Sequence, residues 1–383
     1  MKHSFIIPFA VAVAVPWVSL VSHGHAQEVI ASEKEKFKVE VLAKDLKNPW
    51  GLVKLPDGRF LVTERPGTVR IIGPNGELSE PITGVPEVFA RGQGGLLDVE
   101  LHPDYATNGW IYLAYSANAG EKSLTKIVRG KLKENAFVDQ EVIFEPPVSE
   151  MTGGGNHFGV RMEFDGKGHL FFTIGDRGNP ATPENPAQRL DNVLGKTHRI
   201  FDDGRIPEDN PFYDRGGSAR TIWTYGNRNA QGLKINPKTG DLWEVEHGPR
   251  GGDELNLLKK GANYGWPLVT FGINYQGTII SDKTEAEGFE SPVTHWTPSI
   301  GIGAIDFYTG DKFPSWKGNL FVTALAHQKI IRIVLDEKNE VEHQEILLEK
   351  TGRIRDVRDF GDGYLYLVYD TPGQVVRLVP TET

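Results

Sequence analysis

Six segments of the chain share one form: a tight turn carrying glycine, then a short strand crowded with aromatic and β-branched residues. They read "PDGRFLVTE" from Pro56, "TNGWIYLAY" from Thr107, "GKGHLFFTIG" from Gly166, "KTGDLWEVEHG" from Lys238, "WKGNLFVTAL" from Trp316 and "GDGYLYLVY" from Gly361. Repetition constrains a fold more than any single motif, because a unit this small cannot bury its own apolar face and must stack on copies of itself. Each segment opens on a hairpin turn, and "GTVRII" from Gly67 and "QKIIRIVLD" from Gln328 supply the next strand of a meander. The uneven spacing is what short strands with long insertions at one end produce. Glycine turns precede strands in any β protein, so it is the repeat, with its neighbours, that carries the reading: an all-β fold, a six-bladed β-propeller. The 44 glycines and 24 prolines suit so many turns, helical periodicity is weak, and no low-complexity linker interrupts residues 27–383, which are expected to form a single domain.

Residues 1–26 read differently. Lys2 and His3 precede an apolar stretch from Phe5 to Val21, and the small residues Gly24 and Ala26 stand at −3 and −1 of a junction before Gln27. This is the pattern of a secretory signal peptide, although a retained membrane anchor of marginal length shares it. The expectation is an exported protein, periplasmic or secreted, without stable membrane insertion after cleavage. A formal net charge of −9 argues against a nucleic-acid surface. The absence of cysteine removes disulfides, thiolate nucleophiles, zinc fingers and iron–sulfur clusters together.

Chemistry concentrates in a few loops. In "GGGNHFGVRMEF", from Gly153, His157 stands on a glycine-rich loop just before a strand, where a titratable side chain has room for a substrate beside it. Between Tyr225 and Pro267, "GNRNAQG" and "EHGPRGGDE" flank one strand, followed by "NYGWP"; acidic groups and free carbonyls on such turns suit a hard cation such as Ca²⁺, though without EF-hand spacing. Arg353 and Arg355, two apart in "GRIRDV", share a face if the segment is extended and match carboxylates in paired hydrogen bonds; on spacing alone, a surface strand balanced by Asp356 and Asp359 is the simpler explanation. Gln93 alone is a turn residue, and Trp50 and Trp296 alone read as core or rim aromatics.

Taken together, "GQGGLLDVELHPDY", "NHFGVRMEFDGKGHLFFTIGDRG", "IPEDNPF", "YGNRNAQGL", "EHGPRGGDELN", "NYGWP" and "GRIRDV" resemble, in order and from about Asn48 to Pro380, the soluble PQQ-dependent aldose sugar dehydrogenases of the glucose/sorbosone dehydrogenase family. The resemblance implies a catalytic base at His157, an acidic partner at Asp176, and Arg228 beside the accepting carbonyl of PQQ. It implies further cofactor contacts at Gln93, Asn229, Arg353 and Arg355, with Tyr275 and Trp296 lining or capping the flat cofactor. One Ca²⁺ would rest on the carbonyls of Gly248 and Pro249 and another on Glu254 and Tyr264. The implied reaction oxidises an aldose sugar at C1 to a lactone, with electrons passing to an external acceptor, a quinone, cytochrome or dye. The sequence departs from the family pattern at Ala326, where a lysine commonly faces the cofactor carboxylates, so one cation of the cradle is unaccounted for. Two other functions fit a propeller: a calcium-dependent lactonase, and a non-catalytic module binding a glycan or protein.

Overall fold

The computed structural model describes residues 28–381; the signal peptide expected over 1–26 lies outside them. The described chain is almost entirely strand, arranged as six antiparallel sheets in sequence order. Their innermost strands are Pro49–Lys54, Leu96–Leu101, Met162–Phe164, Ala230–Ile235, Ile302–Phe307 and Arg353–Asp359. Each packs on the next and the last on the first, closing a ring. The architecture is the six-bladed β-propeller expected, and the blades are numbered 1 to 6 in that order.

All six repeat segments become the second strand of their blade: Phe60–Glu64, Ile111–Ala119, His169–Ile174, Leu242–Glu246, Leu320–Ala324 and Leu365–Thr371. Their apolar density has a direct cause. Successive side chains of a strand point to opposite faces, and both faces of an interior blade meet a neighbouring blade. In Phe60–Glu64, Phe60 and Val62 enter the cluster shared with blade 6, while Leu61 enters the cluster shared with blade 2. In Leu365–Thr371, Leu367 and Tyr369 face blade 5 while Tyr366 and Val368 face blade 1. One hydrophobic cluster fills each of the six junctions between blades.

The ring is closed by strand pairing. Lys36–Ala43 runs antiparallel to Gln374–Pro380, so the outer part of blade 6 comes from the opposite end of the described chain. Phe37 on that strand is fully buried, with its ring 6.5 Å from Phe313 and 5.6 Å from Trp316 of blade 5. Near the axis, ion pairs link residues on or beside the inner strands. Arg161 pairs with Asp98 (2.9 Å) and Asp356 (3.1 Å), and Arg358 with Asp98 (3.1 Å) and Asp356 (2.8 Å). These buried charges are mutually compensated, as charges out of water must be. Among the described residues no helix is long and apolar enough to cross a membrane.

Candidate active site

In every blade the second strand ends on the same side of the ring where the first strand begins, and the chemistry collects on that rim. Asp176 follows the second strand of blade 3 and His157 precedes that blade's first strand. Arg228 and Asn229 precede the first strand of blade 4, while His247 and Gly248 follow its second.

His157 adopts φ = +51°, a left-handed conformation uncommon for a residue with a side chain. Its backbone N–H donates to Gln93 Oε1 at 2.8 Å, and its carbonyl lies so close to Gly175 that a Cβ there would approach within 2.4 Å. The loop and the strand end are thus locked together, which brings His157 Nδ1 to 2.6 Å from Asp176 Oδ1. Asp176 is fully buried, and its carboxylate is saturated: Oδ1 also accepts from the Gly178 N–H (2.9 Å), and Oδ2 from Trp266 Nε1 (2.9 Å) and Asn185 Nδ2 (3.3 Å). Burial alone raises the Asp176 carboxyl, but the His157 hydrogen bond and charge, the charge of Arg228 and the Trp266 N–H outweigh it and hold the pKa below the ordinary carboxylate value. Burial pushes the His157 imidazole below its usual value; the Asp176 bond opposes the shift and Arg228 adds to it. An ionised carboxylate only accepts, so Nδ1 carries the proton and Nε2 of the neutral ring is the free base.

Arg228 is buried, and Nη1 donates to the carbonyls of His247 (3.0 Å) and Gly248 (2.8 Å), with the guanidinium carbon 5.2 Å from the centre of the Trp266 ring. Asn229 Oδ1 accepts from Gly159 N–H (3.2 Å) and Gln231 Nε2 (3.1 Å). Arg355 Nη1 donates to Gln231 Oε1 at 2.9 Å, and Arg353 Nε donates to Asp370 at 3.3 Å. These groups line two confluent cavities that share Gln93, Asn229, His247, Gly301 and Ala326. Five arginines (65, 228, 250, 353 and 355) line them against one carboxylate, Asp370, although the chain as a whole is acidic. Tyr275 stands over the His157 side, 68% exposed.

The sequence matches the Glucose / Sorbosone dehydrogenase family over residues 46–377. It is 44% identical over 349 residues to an aldose sugar dehydrogenase of Escherichia coli strain K12, covering 89% of this chain and 92% of that one. The chain belongs to the Glucose / Sorbosone dehydrogenase family. It is an oxidoreductase. The structure of the soluble aldose sugar dehydrogenase from Escherichia coli in its apo form superposes with a TM-score of 0.84 at 40% identity, covering 90% of this chain and all of that one. The PQQ-bound form of an aldose sugar dehydrogenase from Streptomyces coelicolor superposes with a TM-score of 0.73 at 27% identity, covering 90% and 98%.

Of the dehydrogenase residues expected from sequence, Gln93, His157, Arg228, Asn229, Gly248, Pro249, Tyr275, Arg353 and Arg355 line the two cavities, and Asp176 lies directly behind His157. Trp296 is not among the lining residues: it ends the outer strand Thr294–Trp296 of blade 4 and packs partly buried against the cluster between blades 4 and 5. Ala326 lines both cavities. The excess of guanidinium groups fits a flat polycarboxylate such as PQQ. For a hard cation beside it, the turn after His247 is tight enough that a Cβ on Gly248 would meet the Gly251 and Gly252 carbonyls at 2.3 Å. Backbone oxygens therefore crowd that turn, the donor type Ca²⁺ prefers. A second, small cavity is lined by Glu246, Glu254 and Tyr264. Glu246 and Glu254 face each other across two strands; burial first, then the charge of Glu246, raises the Glu254 carboxyl well above its usual value. A cation there would neutralise them. The Tyr264 hydroxyl is already engaged by the Leu257 carbonyl and the Lys259 N–H.

Sequence reasoning did not single out Arg65, His247 or Trp266. In the structure Arg65 and His247 each immediately follow the second strand of their blade and line the cavity, a placement that the equivalent residues of blades 2, 3 and 6 do not share.

Proposed function

We propose that the chain is an exported dehydrogenase, residues 27–383 working as one unit in the periplasm or outside the cell, that oxidises aldose sugars at C1 to lactones with PQQ and Ca²⁺. The observation that carries this reading is the buried His157/Asp176 pair opening onto an arginine-lined cavity. Bound PQQ would supply the two-electron acceptor for hydride from C1, and Ca²⁺ the Lewis acid beside it. The chain's own residues do the rest. Nε2 of His157 takes the proton of the C1 hydroxyl, and Asp176 steadies the imidazolium that results. Arg228, held by two carbonyls, presents a fixed positive charge toward the cavity where negative charge would develop on the accepting oxygen. Arg353, Arg355 and Asn229 hold the cofactor's polar edge, and Gly248 and Pro249 offer carbonyls to the cation. An external quinone, cytochrome or dye then takes the electrons.

The test is reconstitution of the purified mature protein with PQQ and Ca²⁺ and dye reduction over a panel of aldoses, with metal-only and PQQ-only controls. Turnover requiring both additions, and lost in His157→Ala, is expected. Lactone hydrolysis with Ca²⁺ alone, or full turnover in His157→Ala, would overturn the assignment.

A further inference from the structure

Ala326 leaves the cavity wall of blade 5 without a charge, yet the walls from blades 6 and 1 carry three: Arg353, Arg355 and Arg65. Arg65 follows the second strand of blade 1 and lines the same cavity as Arg353, Arg355 and Ala326. Its backbone is fixed on both sides, by its N–H to the Asn48 carbonyl (3.1 Å) and by its carbonyl from the Leu96 N–H (3.0 Å). Gly95 makes the approach possible: at φ = +146°, a Cβ there would lie 1.9 Å from the Arg65 carbonyl oxygen and 2.7 Å from its Cγ. The guanidinium donates through Nη1 to the Gly92 carbonyl, next to Gln93, and among the described residues it forms no ion pair. The other arginines of this wall are partly satisfied. Arg353 has Asp370, and Arg355 has the neutral Gln231 amide with the Trp50 ring 5.5 Å from its guanidinium carbon. Three guanidinium groups thus share one carboxylate: Arg353 takes it, Arg355 is held by a neutral amide, and the only side-chain hydrogen bond of Arg65 among the described residues goes to a backbone carbonyl.

We infer that Arg65 is a cofactor-binding residue, receiving a carboxylate of the anionic cofactor from blade 1 and supplying the cation that blade 5 lacks at Ala326. This rests on the PQQ reading above and adds a residue to it. A planar guanidinium beside an unshared carboxylate makes paired, charge-assisted hydrogen bonds that neither lysine nor glutamine reproduces. A side chain on Gly95 would meet the Arg65 backbone carbonyl and displace Arg65 from the wall.

The experiment is direct titration of the Ca²⁺-loaded mature protein with PQQ, read by quenching of tryptophan fluorescence, since Trp50 stands in the same wall. Arg65→Gln is expected to raise the PQQ dissociation constant about 10- to 100-fold, in line with one lost charge-assisted contact. Arg65→Lys should fall between the two, and Arg59→Gln, on the exposed turn of the same blade and paired with Asp57, should bind as the wild type does. Wild-type affinity in Arg65→Gln overturns the inference alone. Absence of binding by the wild-type protein overturns it together with the PQQ reading. Should Arg65→Gln prove unfolded in a thermal scan, Arg65→Lys decides: an unchanged dissociation constant removes Arg65 from the site.

Discussion

At the scale of single residues, the tautomer of His157 determines what the site can do. Asp176 fixes the proton on Nδ1, so Asp176→Asn is expected to lower kcat by about 10²–10⁴-fold and, because its amide NH2 must face two of the donors that the carboxylate accepts from, to lower the Tm as well, measured by steady-state kinetics beside a thermal scan. The pH profile follows from the direction of the imidazole shift. A base works only when neutral, and burial lowers its pKa; activity should therefore hold down to a midpoint below the ordinary histidine value of about 6.5 and be lost as pH falls through it. In Asp176→Asn the bond that opposes the fall is gone, so the midpoint should move further down. His157 was legible in the sequence because glycines on a loop before a strand leave space around a titratable group. Arg65 and Trp266 were not. Nothing local distinguishes the arginine of "VTERPG" or the tryptophan of "NYGWP"; their importance arises when blades 1 and 2 meet beside Gly95 and when the Trp266 N–H reaches Asp176, 90 residues away along the chain.

At the scale of elements, the paired strands Leu242–Glu246 and Asp253–Leu258 place Glu246 opposite Glu254 in a cavity with little room for water. Like charges facing each other across a sheet destabilise it, and a bound cation reverses the sign. Chelation by EGTA is therefore expected to lower the Tm of the wild-type protein. Glu254→Gln should raise the Tm of the metal-free protein while shrinking the gain on adding Ca²⁺, both read by calorimetry. A full Ca²⁺-dependent gain in Glu254→Gln would place the metal elsewhere. The strands themselves were the most legible part of the sequence. All six repeat segments became second strands because a strand buried on both faces must be apolar at nearly every position, a signal independent of partner. Which residues at the strand ends turn toward the cavity was hidden: Trp296 ends a strand as plainly as Arg65 follows one, yet it packs outward into the cluster between blades 4 and 5.

At the scale of the whole molecule, six wedges joined by apolar junctions and by the ion pairs near the axis are closed into a ring by the pairing of Lys36–Ala43 with Gln374–Pro380. Phe37 ties that pairing to blade 5 through Phe313 and Trp316. Phe37→Ala should cost about 3–5 kcal/mol in a urea denaturation, with no direct effect on the residues of the cavity, which lie on inner strands and on the loops at one rim. The same closure has a consequence for synthesis. The strand from the early part of the chain waits, unpaired, until more than three hundred further residues have been added, and the arginines of blades 1, 4 and 6 cannot converge before then. A ribosome that halts short of Gln374 leaves an open sheet edge exposed to proteases and to other chains. Chains truncated before Gln374 are therefore expected to be inactive and readily cleaved, as a turnover assay beside limited proteolysis of such a truncation would show.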